Sequence, residues 1–126
     1  MDGRGVAYPV RVDDTGGIAE SAGVERIRQS ILVILGTRPG ERIMRPDFGC
    51  ELHSLAFAPN TPSTANLARH YVESALARWE PRIEVTGVSV GNDLQAAALV
   101  IVIAYRIRGV GDERTLTLPF PLEQPS

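Results

Sequence analysis

The chain has a single cysteine, Cys50, so no internal disulfide can form and stability has to come from a packed core. It has no surplus of positive charge either. Its 13 basic and 15 acidic residues are dispersed, leaving a formal charge of -2 and a pI near 5.7, with no cationic field to hold nucleic acid or anionic lipid. The opening stretch MDGRGVAYPV lacks the basic start and apolar run of a secretory leader, which points to synthesis and folding in the cytoplasm. The longest apolar run, residues 96–105, reaches only about half the length of a bilayer-spanning helix and is rich in β-branched residues, so it reads as a strand rather than a membrane insertion. Internal repeats, low-complexity tracts, GxGxxG and GxxxxGK(S/T) phosphate loops are all missing. Cys50, His53 and His70 are scattered, without a second CxxC or an HxxxH, so neither a metal nor another cofactor is expected.

What remains is enough for one core. In 126 residues, 44% apolar and 22% charged, the sequence is expected to form one domain over residues 21–126, preceded by an N-terminal arm over residues 1–20. Within the arm, VAYPVRV at 6–12 alternates but contains Pro9, which confines it to an edge strand or an extended segment. From about Ser21 to Leu35, Val24, Ile27, Ile31, Ile34 and Leu35 recur at steps of three and four, the period of an amphipathic helix, and Gly36 is placed for a left-handed cap. Asp47 stands where it would cap a short helical turn bearing Cys50, Leu52, Leu55 and Phe57. A second long helix, capped by Ser63 or Thr64, carries Leu67, Ala68, Tyr71, Val72, Ala75, Leu76 and Trp79 on one stripe, and Pro81 ends it.

Beyond Pro81 the period falls to two. Ile83, Val85, Val88 and Val90 alternate imperfectly, Gly91-Asn92-Asp93 reads as a turn, 94–107 as a long strand and 114–120 as a third, ahead of a loose tail. The expected fold is α+β: two amphipathic helices packed on one face of a C-terminal three-stranded antiparallel sheet, with a short N-terminal strand or arm.

The segment TRPGERIMRPDFGCEL, residues 37–52, packs three arginines, two prolines, two glycines and three acidic residues between the apolar helices. Pro39-Gly40 is a turn signal, and arginines beside carboxylates favour planar ion pairs, so the segment reads as a stiff bracket. Glu41, Asp47, Glu51 and Glu80 are the candidate acid/base groups for a glycosidase, which needs two carboxyls about 5–9.5 Å apart. Neighbouring guanidiniums lower a carboxyl pKa, the opposite of what a general acid requires. Cys50 and His53, at i and i+3, fit an inert buried thiol beside an imidazole better than a thiolate pair. Phe48, Tyr71 and Phe57 read as core. Trp79 reads as core or as an interface anchor.

Taken in order, ILVILGT, RPGERIMRPDFGCELHSLAF, a second helix closing on WEPRIEV, and an apolar hairpin resemble the baseplate wedge and sheath-initiator family of contractile phage tails, with relatives in type VI secretion and contractile injection particles. The likeness spans residues 21–120 and is carried by the Thr37 to Cys50 motif and by the triplet Glu80, Pro81 and Arg82. It implies a structural protein, not an enzyme, that docks on baseplate wedge proteins through that triplet. It also implies a sheet on which the tail sheath protein polymerises by adding strands, with the inner tube or hub as a further neighbour and six copies per assembly. Arg38, Arg42, Arg45 and Asp47 join the triplet as expected partner-binding residues. The competing readings are a small muramidase-like glycoside hydrolase using Glu41, Glu51 or Glu80, and an adaptor in an unrelated complex.

Overall fold

The computed structural model describes residues 15–123. The element order is α1 (Thr15–Gly36), a short 3-10 helix (Glu51–Leu55), α2 (Pro62–Trp79), β1 (Ile83–Asp93), β2 (Ala98–Ile107) and β3 (Glu113–Pro121). The strands form one antiparallel sheet in the order β1-β2-β3, with both helices and the 3-10 turn on one face, as the periodicities imply. The expected strand at 6–12 lies outside the described residues.

The stripes explain the layering. On α1, Ile27, Ile31, Ile34 and Leu35 are buried, and on α2 the buried set is Ala65, Ala68, Val72, Ala75 and Leu76. They meet Leu99, Ile101, Ile103, Tyr105 and Ile107 of β2 and Leu116 and Phe120 of β3. Ile31, Leu99, Ile101 and Ile103 are fully inaccessible, and each such side chain contributes about 1.5–3 kcal/mol by leaving water. Leu67, expected on the α2 stripe, falls off it and is exposed, and Phe57, expected in the core, is 69% exposed.

Several boundaries move for identifiable reasons. Helix α1 starts at Thr15, ahead of Ser21, because Thr15–Glu20 holds one large apolar residue, Ile18, and so no stripe to read. Gly36 is the last residue of α1 and is absent from the left-handed positions, so it does not supply the expected cap. Instead, the Thr37 hydroxyl donates back to the Val33 carbonyl at 2.6 Å. Helix α2 is capped by Thr61, two to three residues ahead of the expected Ser63 or Thr64: extended at φ -128, Thr61 accepts the Thr64 N–H at 3.3 Å, and Pro62 follows at the first helical position. The imperfect alternation in β1 comes from a bulge between Val85 and Gly87, which lets Val85 and Val88 both face inward at odd spacing.

Strand β1 also runs through Gly91-Asn92-Asp93, and the turn lies at 94–97, with Ala97 left-handed at φ 54. Asn92 and Asp93 serve as side-chain brackets: Asn92 Nδ2 donates to Asn60 Oδ1 (2.8 Å) and to the Thr61 carbonyl (2.9 Å), while Asp93 Oδ1 accepts from Ala96 N–H. The tail is pinned as far as Glu123. Leu122 is buried with its N–H on the Ala97 carbonyl, and the Glu123 N–H donates to Ala56.

Candidate docking site

The bracket between α1 and α2 is a closed lobe. Its base is the Cys50 N–H donating to the Thr37 carbonyl at 2.9 Å, and its neck is the Gly40 N–H donating to Pro46 at 2.6 Å. Gly40 turns at φ +90, the left-handed torsion expected of Pro39-Gly40. At the base, Gly49 (φ +128) passes so close to Thr37 that a Cβ would lie 2.4 Å from its carbonyl oxygen. Only a residue without a side chain fits there. Arg38 enters through its backbone, its N–H donating to Glu41 Oε1 at 2.9 Å, while its side chain is exposed.

The rest of the lobe is clipped to the end of α2. Phe48 and Trp79 meet edge-on at 5.0 Å, Arg42 lies over the Phe48 ring at 4.8 Å, and Arg45 and Arg78 lie over Trp79 at 4.9 and 4.6 Å. Asp47 pairs with Arg78 across this cluster and does not cap the short helix, whose cap position is Cys50. Exposed cation–π contacts contribute about 0.5–1 kcal/mol each and exposed ion pairs about 0–1, so the clip orients the lobe without dominating its stability. The lobe's tip carries Ile43 and Met44, 93% and 87% exposed. Sequence reasoning passed over both, although two large apolar residues between Arg42 and Arg45 in a charged loop were a readable signal.

The triplet follows directly after Trp79. Pro81 forces Glu80 out of the helix (φ -130, ψ 74), and the Glu80 side chain turns inward, only 1% exposed. It receives both Nε and Nη2 of Arg82 at 2.7 and 2.8 Å, a fork closed over two residues. Burial pushes the Glu80 carboxyl up, but the Arg82 fork and the Ser30 hydroxyl together outweigh it and hold the carboxyl below its ordinary value. Arg82 is raised in turn by that fork. Arg108 ties the segment to the end of β2, with Nε donating to the Pro81 carbonyl at 3.0 Å and its N–H to Arg82 at 2.9 Å. The triplet therefore presents Pro81 and the half-exposed Arg82 outward, with Glu80 as the internal strut. Arg42, Arg45 and Asp47 are gathered at this same end of α2.

The groups weighed for chemistry are placed differently. Cys50 is buried, its Sγ 3.5 Å from the Tyr71 carbonyl, and burial, ahead of the charge on Glu51, pushes its thiol up. His53 Nε2 lies 3.2 Å from the Leu35 carbonyl, with the ring edge-on to Phe120. Glu51 is exposed, and Glu80 is held ionised, the reverse of a general acid. Among the described residues no three or more His, Cys, Asp and Glu cluster as metal ligands, and no helix is long and apolar enough to cross a membrane.

Residues 21–112 match the sequence model of a family described as Baseplate wedge protein gp25, a span holding the lobe, the triplet, β1 and β2. The baseplate wedge protein gp25 of Enterobacteria phage T4 is 33% identical over 98 residues, covering 78% of this chain and 74% of that protein. A crystal structure from Geobacter sulfurreducens, of a protein called a tail lysozyme, superposes with a TM-score of 0.75 at 41% identity, over 82% of this chain and 95% of that one. A chain in the postcontracted baseplate of pyocin R2 follows with a TM-score of 0.60 at 28% identity, over 68% and 85%.

Proposed function

The chain belongs to the baseplate wedge protein gp25 family, and from that premise we propose that it is a non-enzymatic structural component of the baseplate of a contractile tail or injection machine. It docks on neighbouring wedge proteins through the end of α2 and the lobe beside it, with Ile43 and Met44 as apolar anchors and Pro81 and Arg82 beside them. The observation that carries this reading is the near-complete exposure of Ile43 and Met44 on a lobe already pinned at base and neck. Two such side chains buried by a partner contribute about 1.5–3 kcal/mol each. The closed lobe lowers the ordering cost of docking. Arg42 and Arg45, held over aromatic rings, form the polar rim such anchors need.

Glu80 acts from inside, fixing the Arg82 fork. Arg38 and Asp47 shape the lobe that presents the anchors. On the other side of the domain, the sheet accepts strands from the tail sheath protein and so templates the first sheath ring, in six copies, with the inner tube or hub as a further neighbour. The name of the Geobacter protein raises the muramidase reading, but the ionised, arginine-bound Glu80 argues against that residue as its acid.

The test is complementation of a phage or injection particle lacking this subunit. The double variant Ile43→Ser/Met44→Ser is expected to fold with an unchanged melting temperature yet fail to enter baseplates, and Glu80→Ala/Arg82→Ala is expected to enter poorly. Full incorporation and normal sheathed particles from both variants, seen by electron microscopy, would sink the docking assignment.

A further inference from the structure

Charges that are dispersed along the chain are sorted by the fold. All 13 basic residues are arginine, and the chain as a whole carries a formal charge of -2. Five of the guanidiniums collect around the end of α2: Arg42 over Phe48, Arg45 and Arg78 over Trp79, Arg82 in the triplet, and Arg108 on the Pro81 carbonyl. Arg38 joins them from the lobe, with its side chain exposed. The same segments hold three carboxylates, Glu41, Asp47 and Glu80, so six positive charges against three negative leave a net of +3. The next carboxylate along the chain, Glu84, is matched by Arg106 at 3.7 Å and does not change that balance.

The three carboxylates are already committed within the subunit. Asp47 takes Arg78, Glu80 takes Arg82, and Glu41 accepts the Arg38 backbone N–H. Four of the arginines are not. Among the described residues, Arg38, Arg42 and Arg45 form no ion pair and donate no side-chain hydrogen bond, and Arg108 spends only its Nε. Contact with a ring engages the aromatic face and leaves the N–H donors of a guanidinium available. Unmatched like charges gathered at one end also cost the isolated subunit stability through mutual repulsion, which opposite charge from outside would relieve. Arg42 and Arg45 flank the exposed Ile43 and Met44 directly, so the unspent donors border the apolar anchors.

We propose that the wedge protein docked on this end presents an acidic surface, with carboxylates that pair with Arg38, Arg42, Arg45 and Arg108 around an apolar pocket that takes Ile43 and Met44. The inference rests on the docking reading above and adds the chemistry of the occupant. Guanidinium forks match carboxylates in bidentate pairs, which fix the register of docking as an ammonium does not. Complementary charge of this kind speeds encounter and rejects wrong partners, while the buried anchors supply the affinity. Duplex nucleic acid is a poorer fit, because its phosphate backbone could not bury the two apolar side chains at the centre and the remainder of the chain carries net negative charge.

The test measures association of the whole subunit with purified wedge complexes that lack it, over about 50–500 mM salt. The parent's association rate should fall about tenfold or more across that range. At low salt Arg42→Gln/Arg45→Gln should associate about tenfold more slowly than the parent, and Arg38→Gln about threefold, each with a flatter salt dependence. The control Arg26→Gln/Arg69→Gln removes two arginines from other faces and should stay within about twofold of the parent. Folding of each is checked by thermal melting, with Arg38→Gln, whose side chain bonds to nothing, as the variant expected to melt like the parent. A photo-crosslinker at residue 38 should capture a wedge peptide rich in aspartate and glutamate.

Salt-independent association, with the glutamine variants matching the parent while Ile43→Ser/Met44→Ser still abolishes binding, overturns the acidic partner and leaves docking at this end standing. Parent-like binding by all of these variants overturns the docking reading as well. A loss from Arg26→Gln/Arg69→Gln as large as that from Arg42→Gln/Arg45→Gln assigns the effect to net charge and overturns the inference, as does capture of a wedge peptide without acidic residues. Retention of the parent on duplex DNA at about 150 mM salt, lost in Arg42→Gln/Arg45→Gln while wedge binding is unchanged, overturns it in favour of a polyanion.

Discussion

The base of the lobe offers a prediction whose size can be worked from geometry. In Gly49→Ala the new Cβ would stand 2.4 Å from the Thr37 carbonyl oxygen, about 1 Å inside an ordinary carbon–oxygen contact of ~3.3–3.6 Å. At φ +128 the alanine also occupies a region that costs about 1–3 kcal/mol. Relief requires the two strands of the lobe to part, which breaks the Cys50 N–H to Thr37 bond between buried residues, at about 1–3 kcal/mol more. The sum, roughly 2–6 kcal/mol, is a large share of the ~5–15 kcal/mol that stabilises a domain. At about 3–5 °C per kcal/mol for a chain of this length, it should lower Tm by about 6–30 °C in a calorimetric scan.

The control is the same substitution within α1. Gly23 has open space around its Cβ position, and alanine there should stabilise by up to about 1 kcal/mol. If Gly49→Ala melts within about 3 °C of the parent while Gly23→Ala stabilises, the lobe base is not a close-packed junction and does not pin Ile43 and Met44 in place.

Three further outcomes are expected. Because the folded Glu80 carboxyl lies below its ordinary value, the stability it contributes is whole above about pH 4.3, the unfolded value, and fades as pH falls toward the folded one; Glu80→Gln should show a shallower loss of Tm on acidification, and a parallel curve would refute the linkage. The Cys50 thiol, raised by burial, should resist a thiol reagent in the native protein and react at once in denaturant, so rapid native labelling would contradict its placement. Purified protein should release no muropeptides from peptidoglycan; release that disappears on changing Glu41, Glu51 or Glu80 to glutamine would overturn the non-enzymatic reading.

Much of this architecture is legible in one dimension because burial imposes a period. The run of Ile27, Ile31, Ile34 and Leu35 at helical spacing, the β-branched core of β2, and the breaks at Pro39-Gly40 and Pro81 follow from local rules, and the structure realises them. Where the local signal was weak the boundaries moved: the stripe-free start of α1, the bulge at Thr86, and the polar Asn92 and Asp93, which look like turn residues but bracket strands through their side chains. The two family motifs singled out the lobe and the triplet separately, and the structure brings both to the same end of α2.

What each residue does within that region was decided in three dimensions. Glu80 looks like a surface charge at a helix end until Ser30 of α1 and the returning Arg82 enclose it. Asp47 looks like a cap until Arg78, 31 positions away, takes its carboxylate. Ile43 and Met44 carry no periodic mark of exposure and stand free only because the base and neck bonds close the lobe behind them. Periodicity reports which side of an element meets the core, whereas partners distant in sequence determine which groups are left over for another protein.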